Sequence, residues 1–361
     1  MLRQKHGIAT PEFEQISSSK TVKLPAEGYV NGLMEVSIII PMYNAGKTII
    51  QTLRALKNQT RKDFEVIVVD DGSTDTSARL VAEFSKQSNL TIRLVHQENS
   101  GPAKARNLGV KHSKGDIIIF LDSDCIPPPN WVQEMVSPLN KSVVGCNCGY
   151  KVKNRDSLIA RYVDYEIAKR HEKMIGRNID TIGTYSASFV KAAFVEAGAF
   201  NTEYTAANAE DFDLAFSITR MGYNLRFIGE VFVWHFHPDS LGKYLKQQFS
   251  RGYWRVKMYL RNRSKAISGD SYTRHEAQVQ FILSSLAFLS LPLMIVKPYS
   301  VIIGFGILLL SNAPLGLWVF AKDKRVGLIA PIIASLRSLA GTIGAYTYLV
   351  KNFPNWLKEA R

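Results

Sequence analysis

Short apolar runs alternate with amphipathic stretches over the first third of the chain. Four of these runs predict strands, and the continuous apolar run that ends at residue 121 predicts a strand that is buried on both faces. The runs lie at residues 36–41, 64–69, 91–96 and 116–121. Stretches with apolar side chains at helical spacing separate them, at residues 48–57, 74–84 and 103–112. This alternation predicts an α/β fold with a mostly parallel, Rossmann-like sheet.

The pattern becomes less regular after the three prolines at residues 127–129. Two more strands and two more helices are predicted beyond this break. The strands are residues 143–152 and 225–237, and the helices are residues 157–173 and 212–221. We therefore predict one α/β domain over residues 36–240, preceded by a polar N-terminal extension, residues 1–35, without the apolar core of a signal peptide.

Three almost uncharged stretches dominate the C-terminal region, residues 276–361. Residues 278–296, 299–321 and 326–350 are each about as long as a membrane-spanning helix. The basic loop at residues 322–325 predicts a cytoplasmic connection, and hence a multi-pass protein with its catalytic domain in the cytoplasm. Pro331 and Arg337 predict that the third stretch is kinked or re-entrant.

A basic segment, residues 241–275, precedes these stretches. Residues 241–265 combine Lys and Arg with aromatic and aliphatic side chains, which predicts an amphipathic helix at an anionic membrane surface. The whole chain has 45 Lys and Arg against 31 Asp and Glu, a formal charge of +14. This excess predicts an anionic partner, and no nucleic-acid-binding motif supports DNA or RNA in that role. No obligate protein partner is inferred.

Asp122-Ser123-Asp124 follows directly on the apolar run that ends at residue 121. Ligand sites in open α/β sheets lie at the carboxyl ends of strands. Two neighbouring carboxylates there stay ionised most easily beside a cation, and oxygen ligands suit Mg²⁺ or Mn²⁺. The three cysteines fit no zinc motif and predict small buried side chains in a reducing compartment.

Five motifs occur in a fixed order along the chain. They are Ile40-Pro-Met-Tyr-Asn44, Val68-Val-Asp-Asp-Gly-Ser-Thr-Asp75, Asn99-Ser-Gly-Pro-Ala103 with Ala105-Arg-Asn107, Phe120-Leu-Asp-Ser-Asp124 and Glu210-Asp211. This ordered set resembles the family 2 inverting glycosyltransferases with the GT-A fold. The resemblance covers about residues 36–237 and extends more loosely through the basic helix.

The resemblance implies a nucleotide-sugar donor. Asp71 matches the acid that binds the nucleobase, and Pro41, Tyr43 and Asn44 form the turn under the base and ribose. For Asp70, ordinary turn chemistry is an equal alternative. The helix that opens near residue 103 suits a diphosphate, and Arg106 is the preferred contact with it. For Lys104 the alternative is an ordinary solvated position on the helix.

The resemblance also implies a metal site next to the donor. Asp124 matches the direct metal ligand, while Asp122 contacts the ribose or reaches the metal through water, with Ser123 beside them. A late histidine often adds a further ligand in this fold. His235 is preferred and His237 is the alternative, because residues two apart on a strand share a face.

For catalysis, Asp211 matches the general base that removes a proton from the acceptor hydroxyl, and Glu210 is assigned to orienting the acceptor. Ser186 stands where the family often has an asparagine near the acceptor sugar. Gln248, Arg251 and Trp254 resemble the Gln-x-x-Arg-Trp element of membrane polysaccharide synthases, but Gly252 occupies the position of its tryptophan.

These assignments predict a metal-dependent, inverting hexosyltransferase in the cell membrane. Its donor is expected to be a UDP-sugar, and its acceptor a lipid-linked saccharide or a growing surface polysaccharide at the cell envelope. One alternative is a transferase that charges polyprenyl phosphate itself. A second is a non-catalytic membrane scaffold that binds nucleotide sugars, against which the intact acids Asp71, Asp122, Asp124 and Asp211 argue.

Overall fold

The computed structural model describes residues 35–205 and 209–359. Most of the predicted N-terminal extension, residues 1–34, therefore lies outside the described residues. The described chain divides into two compact units. The first comprises residues 35–151 and 174–235, and the second comprises residues 152–173 and 236–359.

The first unit is built on a mixed sheet with the strand order β3-β2-β1-β4-β8-β6-β9-β5, and β7 pairs with β9. Its strands are β1 (Val36–Met42), β2 (Phe64–Asp71), β3 (Ile92–Gln97), β4 (Ile117–Leu121), β5 (Cys125–Ile126), β6 (Val143–Val152), β7 (Asn178–Ile179), β8 (Ser186–Val190) and β9 (Asn224–His235). Strands β1 to β4 are mutually parallel, and β8 joins β4 antiparallel. The α/β prediction is confirmed.

Six helices belong to the first unit in the described ranges. They are α1 (Ile49–Lys57), α2 (Ser77–Gln87), α3 (Pro102–His112), α4 (Trp131–Val136), α6 (Lys191–Glu196) and α7 (Glu210–Arg220), while α5 (Leu158–His171) belongs to the second unit. Because β1, β2 and β4 are parallel, their carboxyl ends meet at one edge of the sheet. The first four sequence motifs follow strands at that edge.

A phenylalanine cluster supports the sheet next to this edge. Phe120, Phe194 and Phe200 are fully buried, and their ring centroids lie 5.1–5.5 Å apart. The side chain of Asn107 on α3 holds the backbone of Phe200. Its amide nitrogen donates to the carbonyl oxygen of Phe200 at 2.8 Å, and its amide oxygen accepts from the Phe200 N–H at 3.1 Å. The motif residue Asn107 thus holds α3 against the loop that leads towards α7.

The second unit contains α5 and the remaining helices of the chain. These are α8 (Leu241–Arg261), α9 (Arg263–Ser268), α10 (Arg274–Leu289), α11 (Pro298–Ser311), α12 (Ala313–Phe320) and α13 (Lys324–Glu359), with a 3₁₀ helix at Leu291–Ile295. The basic segment accordingly forms a long helix, α8, as its spacing predicts. Arg337 of α13 pairs with the buried Glu166 of α5, which Arg170 and the Tyr244 hydroxyl of α8 also contact.

Glycines let α8 and α13 approach closely. A Cβ atom on Gly252 would lie 2.0 Å from the carbonyl oxygen of Gly341, and one on Gly344 would lie 2.1 Å from that of Phe249. Real Cβ atoms do not come so near to backbone oxygens. The tryptophan of the Gln-x-x-Arg-Trp element therefore has no room at residue 252 of this chain.

Gly252→Ala is expected to destabilise the second unit. The added methyl group must push α8 away from α13, and overpacking of this kind costs about 1–3 kcal/mol. Thermal unfolding of the detergent-solubilised chain should show a lower transition temperature than for Gly242→Ala, since a Cβ atom at Gly242 meets nothing within 4 Å. Equal transition temperatures for the two variants would contradict the close helix approach.

Among the described helices, only residues Lys324–Asn352 of α13 are by themselves long and apolar enough to cross a bilayer. The pair α11 and α12 passes the same test only when taken as one span, and it is bent by 41°. The first predicted span is a shorter apolar helix, Gln278–Leu293. One helix is therefore a candidate span by length and composition alone, and the three-span topology remains a prediction. Around Pro331 and Arg337, where we expect a kink or re-entrant loop, the assigned helix α13 is continuous.

Candidate active site

The turn after β1 is tied to the turn after β2. Asn44 adopts a positive φ of 49°, and its side-chain oxygen accepts from the N–H groups of Thr74 at 2.8 Å and Asp75 at 3.2 Å. Gly72 has a φ of +73°, and a Cβ atom there would lie 2.8 Å from the backbone nitrogen of Asn99. The first three motifs therefore form one surface, on which Tyr43 is 52% exposed and Pro41 is partly buried.

Asp71 holds the loop between β3 and α3. Its carboxylate accepts from the Gln97 side chain at 2.6 Å and from the N–H groups of Ser100 at 2.8 Å and Gly101 at 2.9 Å. Asp70 behaves as a turn residue, with hydrogen bonds to the Ser73 N–H and the His96 ring. Asp71 thus shapes the predicted base pocket, and its contact with a nucleobase remains a prediction.

Arg106 bridges two of the predicted catalytic motifs. Its Nη2 donates to Asp122 Oδ1 at 3.0 Å, and its Nη1 donates to Glu210 Oε1 at 2.9 Å. The side chain is only 3% exposed. We call Asp122, Arg106 and Glu210 the acid–arginine cluster. The guanidinium that the sequence assigns to a diphosphate is therefore held between two carboxylates of the protein.

Arg106→Lys is expected to lower kcat by about tenfold or more while changing the donor KM little. An ammonium group cannot donate to both carboxylates in the same fork geometry, so Asp122 and Glu210 lose their common partner. Steady-state kinetics with varied donor would measure both constants. Lys104→Ala, on the exposed side of α3, provides the matched control. A raised donor KM at unchanged kcat would instead indicate that Arg106 binds the diphosphate.

Asp124 lies beside a histidine and a thiol. His235 Nε2 is 3.5 Å from Asp124 Oδ1, and the ligand atoms of Asp124, Cys125 and His235 all lie within 4.8 Å of one another. Burial raises the pKa of Asp124, repulsion from Asp122 adds to this rise, and His235 opposes it. A carboxylate and an imidazole around one point, with a second carboxylate next to them, fit a divalent cation such as Mn²⁺.

His235 and His237 have different surroundings. The ring of His235 stacks on Tyr150, with centroids 5.3 Å apart. β9 ends at His235, and His237 instead exchanges backbone hydrogen bonds with the Asn154 side chain and faces Asp164 at 4.0 Å. The geometry therefore favours His235 over His237 as the histidine ligand. Cys125 and Tyr150 are neighbours of this site that no sequence motif singles out.

Asp211 and Glu210 open α7. Glu210 is 1% exposed, and its second oxygen accepts from the N–H of Ala209 at 3.1 Å, so both of its oxygens are engaged by the protein. Asp211 is only partly buried. Loss of water and the nearby Glu210 raise the pKa of Asp211 to about 7, although Arg106 opposes the rise. A carboxyl group with this pKa suits a general base near neutral pH.

The residues predicted to bind the acceptor lie in different parts of the structure. Ser186 is fully buried, and its hydroxyl accepts from the Trp131 indole N–H at 2.9 Å and contacts the Cys148 thiol at 3.1 Å. Its hydroxyl is enclosed by Trp131 and Cys148, and contact between Ser186 and an acceptor sugar remains a prediction. Gln248, Arg251 and Trp254 lie on α8 in the second unit.

Ser123 contacts a neighbouring helix through its backbone. Its carbonyl oxygen accepts from the Thr52 hydroxyl at 3.1 Å, which ties the loop after β4 to α1. The two carboxylates on either side of Ser123 have different partners. One enters the acid–arginine cluster and the other faces His235.

The chain resembles known glycosyltransferases in sequence and in fold. It is 32% identical over 236 residues to Glycosyltransferase AglE of Haloferax volcanii, covering 63% of this chain and 75% of AglE. It is 27% identical over 227 residues to Poly-beta-1,6-N-acetyl-D-glucosamine synthase of Staphylococcus aureus, covering 61% of this chain and 54% of the synthase. The chain thus spans about half the length of the second relative.

A solved structure shares the fold over nearly the whole chain. The mannosyltransferase PcManGT from Pyrobaculum calidifontis, in complex with GDP-Man and Mn²⁺, superposes with a TM-score of 0.60 at 19% identity, covering 94% of this chain and 93% of that protein. The family model Glycosyl transferase family 2 matches residues 37–195, and the model Glycosyl transferase family group 2 matches residues 117–322. Since the second match spans more than half of the chain, this protein belongs to glycosyltransferase family 2.

Proposed function

We propose that this glycosyltransferase moves a sugar, with inversion, from a UDP-sugar to a hydroxyl group of a lipid-linked saccharide or surface polysaccharide. The observation that carries the proposal is the acid–arginine cluster. Arg106 joins the metal motif through Asp122 and the base motif through Glu210, although these residues are far apart in sequence. The two motifs are therefore neighbours in the fold, which is what a single-displacement transfer requires of its donor and base residues.

The proposed reaction needs no enzyme nucleophile. The acceptor oxygen attacks the anomeric carbon while Asp211 takes its proton, and the bond from that carbon to the nucleoside diphosphate breaks with the electron pair leaving on the diphosphate. Asp71 shapes the base pocket, and Arg106 keeps Asp122 and Glu210 in place. A divalent cation held by Asp124 and His235 would supply charge stabilisation for the leaving diphosphate.

We also propose that the C-terminal helices fix the enzyme to a cell membrane as a multi-pass protein, with the catalytic domain, residues 36–240, on the cytoplasmic side. The candidate span in α13 and the bent pair α11 and α12 support this proposal. The basic helix α8, in the segment 241–275, would lie along anionic lipid headgroups. Tethering in this way raises the local concentration of a lipid-linked acceptor.

A donor screen tests the proposal. The purified full chain is incubated with Mn²⁺, lipid extract from its native membrane, and radiolabelled UDP-sugars or GDP-mannose in separate reactions. Label should pass into a lipid-extractable product with one UDP-sugar, and a chelator should stop the transfer. Preference for GDP-mannose would show that the donor is not a UDP-sugar. Absence of turnover with every donor would favour a non-catalytic scaffold.

A further inference from the structure

His235 is the last residue of β9. One of the strands that pairs with it there is β5, which has only two residues, and Cys125 is the partner of His235 in that short pair. A histidine can ligate a metal well only when its ring is held in one orientation, and the groups around the ring usually set that orientation. The side chains that pack on His235 therefore decide how well its imidazole faces Asp124.

Tyr150 packs on this imidazole from the neighbouring strand. It lies on β6, which is next to β9 in the sheet. The two ring centroids are 5.3 Å apart and the ring planes are inclined by 28°. Stacking at this distance is a favoured arrangement of aromatic pairs. Since Nε2 of the stacked imidazole lies 3.5 Å from Asp124 Oδ1, the contact with Tyr150 holds the ring in the orientation that a shared cation needs.

Tyr185 in turn supports Tyr150. The two rings meet edge to face, with centroids 4.3 Å apart and planes at 81°. The Tyr185 hydroxyl donates to the carbonyl oxygen of Cys148 and accepts from the Asn147 side-chain amide at 3.4 Å. Cys148 and Asn147 lie on β6, just before Tyr150. Tyr185 is therefore fastened to the strand that carries Tyr150, and its ring limits the rotation of the Tyr150 side chain.

A glycine leaves the space that the Tyr185 ring occupies. A Cβ atom on Gly183 would lie 2.5 Å and 2.9 Å from two carbons of that ring, which is closer than real Cβ atoms come. The backbone of the same segment contacts both catalytic motifs. The carbonyl of Tyr185 accepts from the Asp122 N–H at 3.1 Å, and the N–H of Thr184 donates to the Asp211 carboxylate. Tyr185 is thus anchored beside the predicted metal and base residues.

We propose that Tyr150 is a positioning residue of the metal site and that Tyr185 is its support. Tyr150 does not contact the cation. It keeps the His235 ring directed at Asp124, so that the ligands are in place before the cation binds. A preorganised site binds more tightly, because less side-chain freedom is lost on binding. The role of His235 as a ligand belongs to the proposed function, on which this inference rests.

The affinity for Mn²⁺ is measured by electron paramagnetic resonance on the full chain, with UDP and without a sugar donor. Tyr150→Leu removes the stacked ring and should weaken binding by about three- to tenfold, the usual value of an aromatic pair. Tyr150→Met fills similar space without a ring and should show the same loss. Tyr150→Phe keeps the ring and should bind within about twofold of the wild type.

Tyr223→Leu is the matched control. Tyr223 immediately precedes β9 at the end opposite to His235, and its hydroxyl donates to Glu196. This variant loses a tyrosine ring from the same unit without touching the metal site. Its affinity for Mn²⁺ should equal that of the wild type.

A double-variant cycle with His235→Ala separates positioning from a general loss of structure. If Tyr150 acts through the imidazole of His235, Tyr150→Leu should have no further effect on Mn²⁺ affinity once that imidazole is absent. A general disturbance of the sheet would lower the affinity of the double variant further. The two single losses would then add, and Tyr150 would be a structural residue only.

The remaining outcomes separate this inference from the proposed function. Unchanged Mn²⁺ affinity in Tyr150→Leu, together with a weaker His235→Ala, would overturn the positioning role and leave the proposed metal site intact. Unchanged affinity in His235→Ala would overturn both. An equal loss in Tyr150→Phe and Tyr150→Leu would assign the effect to the hydroxyl group and contradict the stacking. Because no sugar donor is present, the result does not depend on turnover.

Discussion

Asp211→Asn is expected to lower kcat for transfer to a hydroxyl acceptor by about 10²–10⁴-fold, the usual contribution of a general base. The substitution keeps the size of the side chain and removes its capacity to accept the proton. Donor affinity should remain, because Asp71 and the metal site lie on other elements. Initial rates and donor binding by calorimetry would separate the two effects.

Asp213→Asn provides the matched control on the same helix. Asp213 is buried in the first turn of α7, where an acid favours the helix N-terminus, and we assign it no part in the reaction. Its variant should keep kcat within a few-fold of the wild type. A mild effect of Asp211→Asn, similar to that of the control, would point to a phosphate acceptor, which needs little base catalysis, and hence to a transferase that charges polyprenyl phosphate.

The pH dependence follows from the same group. Burial and then Glu210 raise the pKa of Asp211 to about 7, so the carboxyl group takes up a proton and loses its capacity as a base as the pH falls through that value. The value of kcat/KM should therefore rise with pH and level off above about 7. Glu210→Gln removes a negative neighbour and should move this rise to lower pH. A rise that stays in place in the variant would assign the titration to another group.

The sheet and its loops could be predicted from local pattern. Buried parallel strands are continuous apolar runs, and β1 and β4 appear within one residue of where these runs lie. Strand β2 continues two residues further than its apolar run, because Asp70 and Asp71 pair with His96 and Gln97 of β3. Backbone pairing with a neighbouring strand sets that boundary, and no local pattern contains it.

The partners of Arg106 could not be predicted. A cation in the first turns of a helix that follows a Gly-Pro turn indicates that an anion binds there. From the sequence, the expected anion is the diphosphate of the donor. The fold instead brings Asp122 and Glu210 to the guanidinium from two other elements. Ser186 shows the same limitation, since only the packing of Trp131 and Cys148 encloses its hydroxyl.

The membrane region shows where composition alone is insufficient. Apolar content marks three stretches, but helix continuity decides which of them is a candidate span. Pro292 lacks an N–H, and a short 3₁₀ helix replaces the α-helix from Leu291. Pro314 follows the bend at Asn312 between α11 and α12. In α13, by contrast, the assigned helix runs through Pro331, and Arg337 finds its counterion in Glu166.

Asp124→Ala is expected to abolish Mn²⁺ binding and to reduce sugar transfer at least as much as loss of the base. Asp124 is the carboxylate that faces His235, whereas Asp122 is held by Arg106 and cannot turn to replace it without breaking the acid–arginine cluster. Mn²⁺ binding is measured directly by electron paramagnetic resonance, in the presence of UDP but without sugar transfer. Removal of the ion by a chelator from the wild type should reproduce the loss of activity.

The control for this experiment lies at the other end of the same strand. Asp116 is exposed and immediately precedes β4, so Asp116→Asn changes the net charge equally without touching the site. It should bind Mn²⁺ as the wild type does. His235→Ala should weaken binding by about tenfold, and His237→Ala should leave it unchanged, because His237 faces Asp164. If instead Asp122→Asn abolished Mn²⁺ binding and Asp124→Ala did not, the two carboxylates would have exchanged roles, with the cation bound on the Arg106 side of the loop.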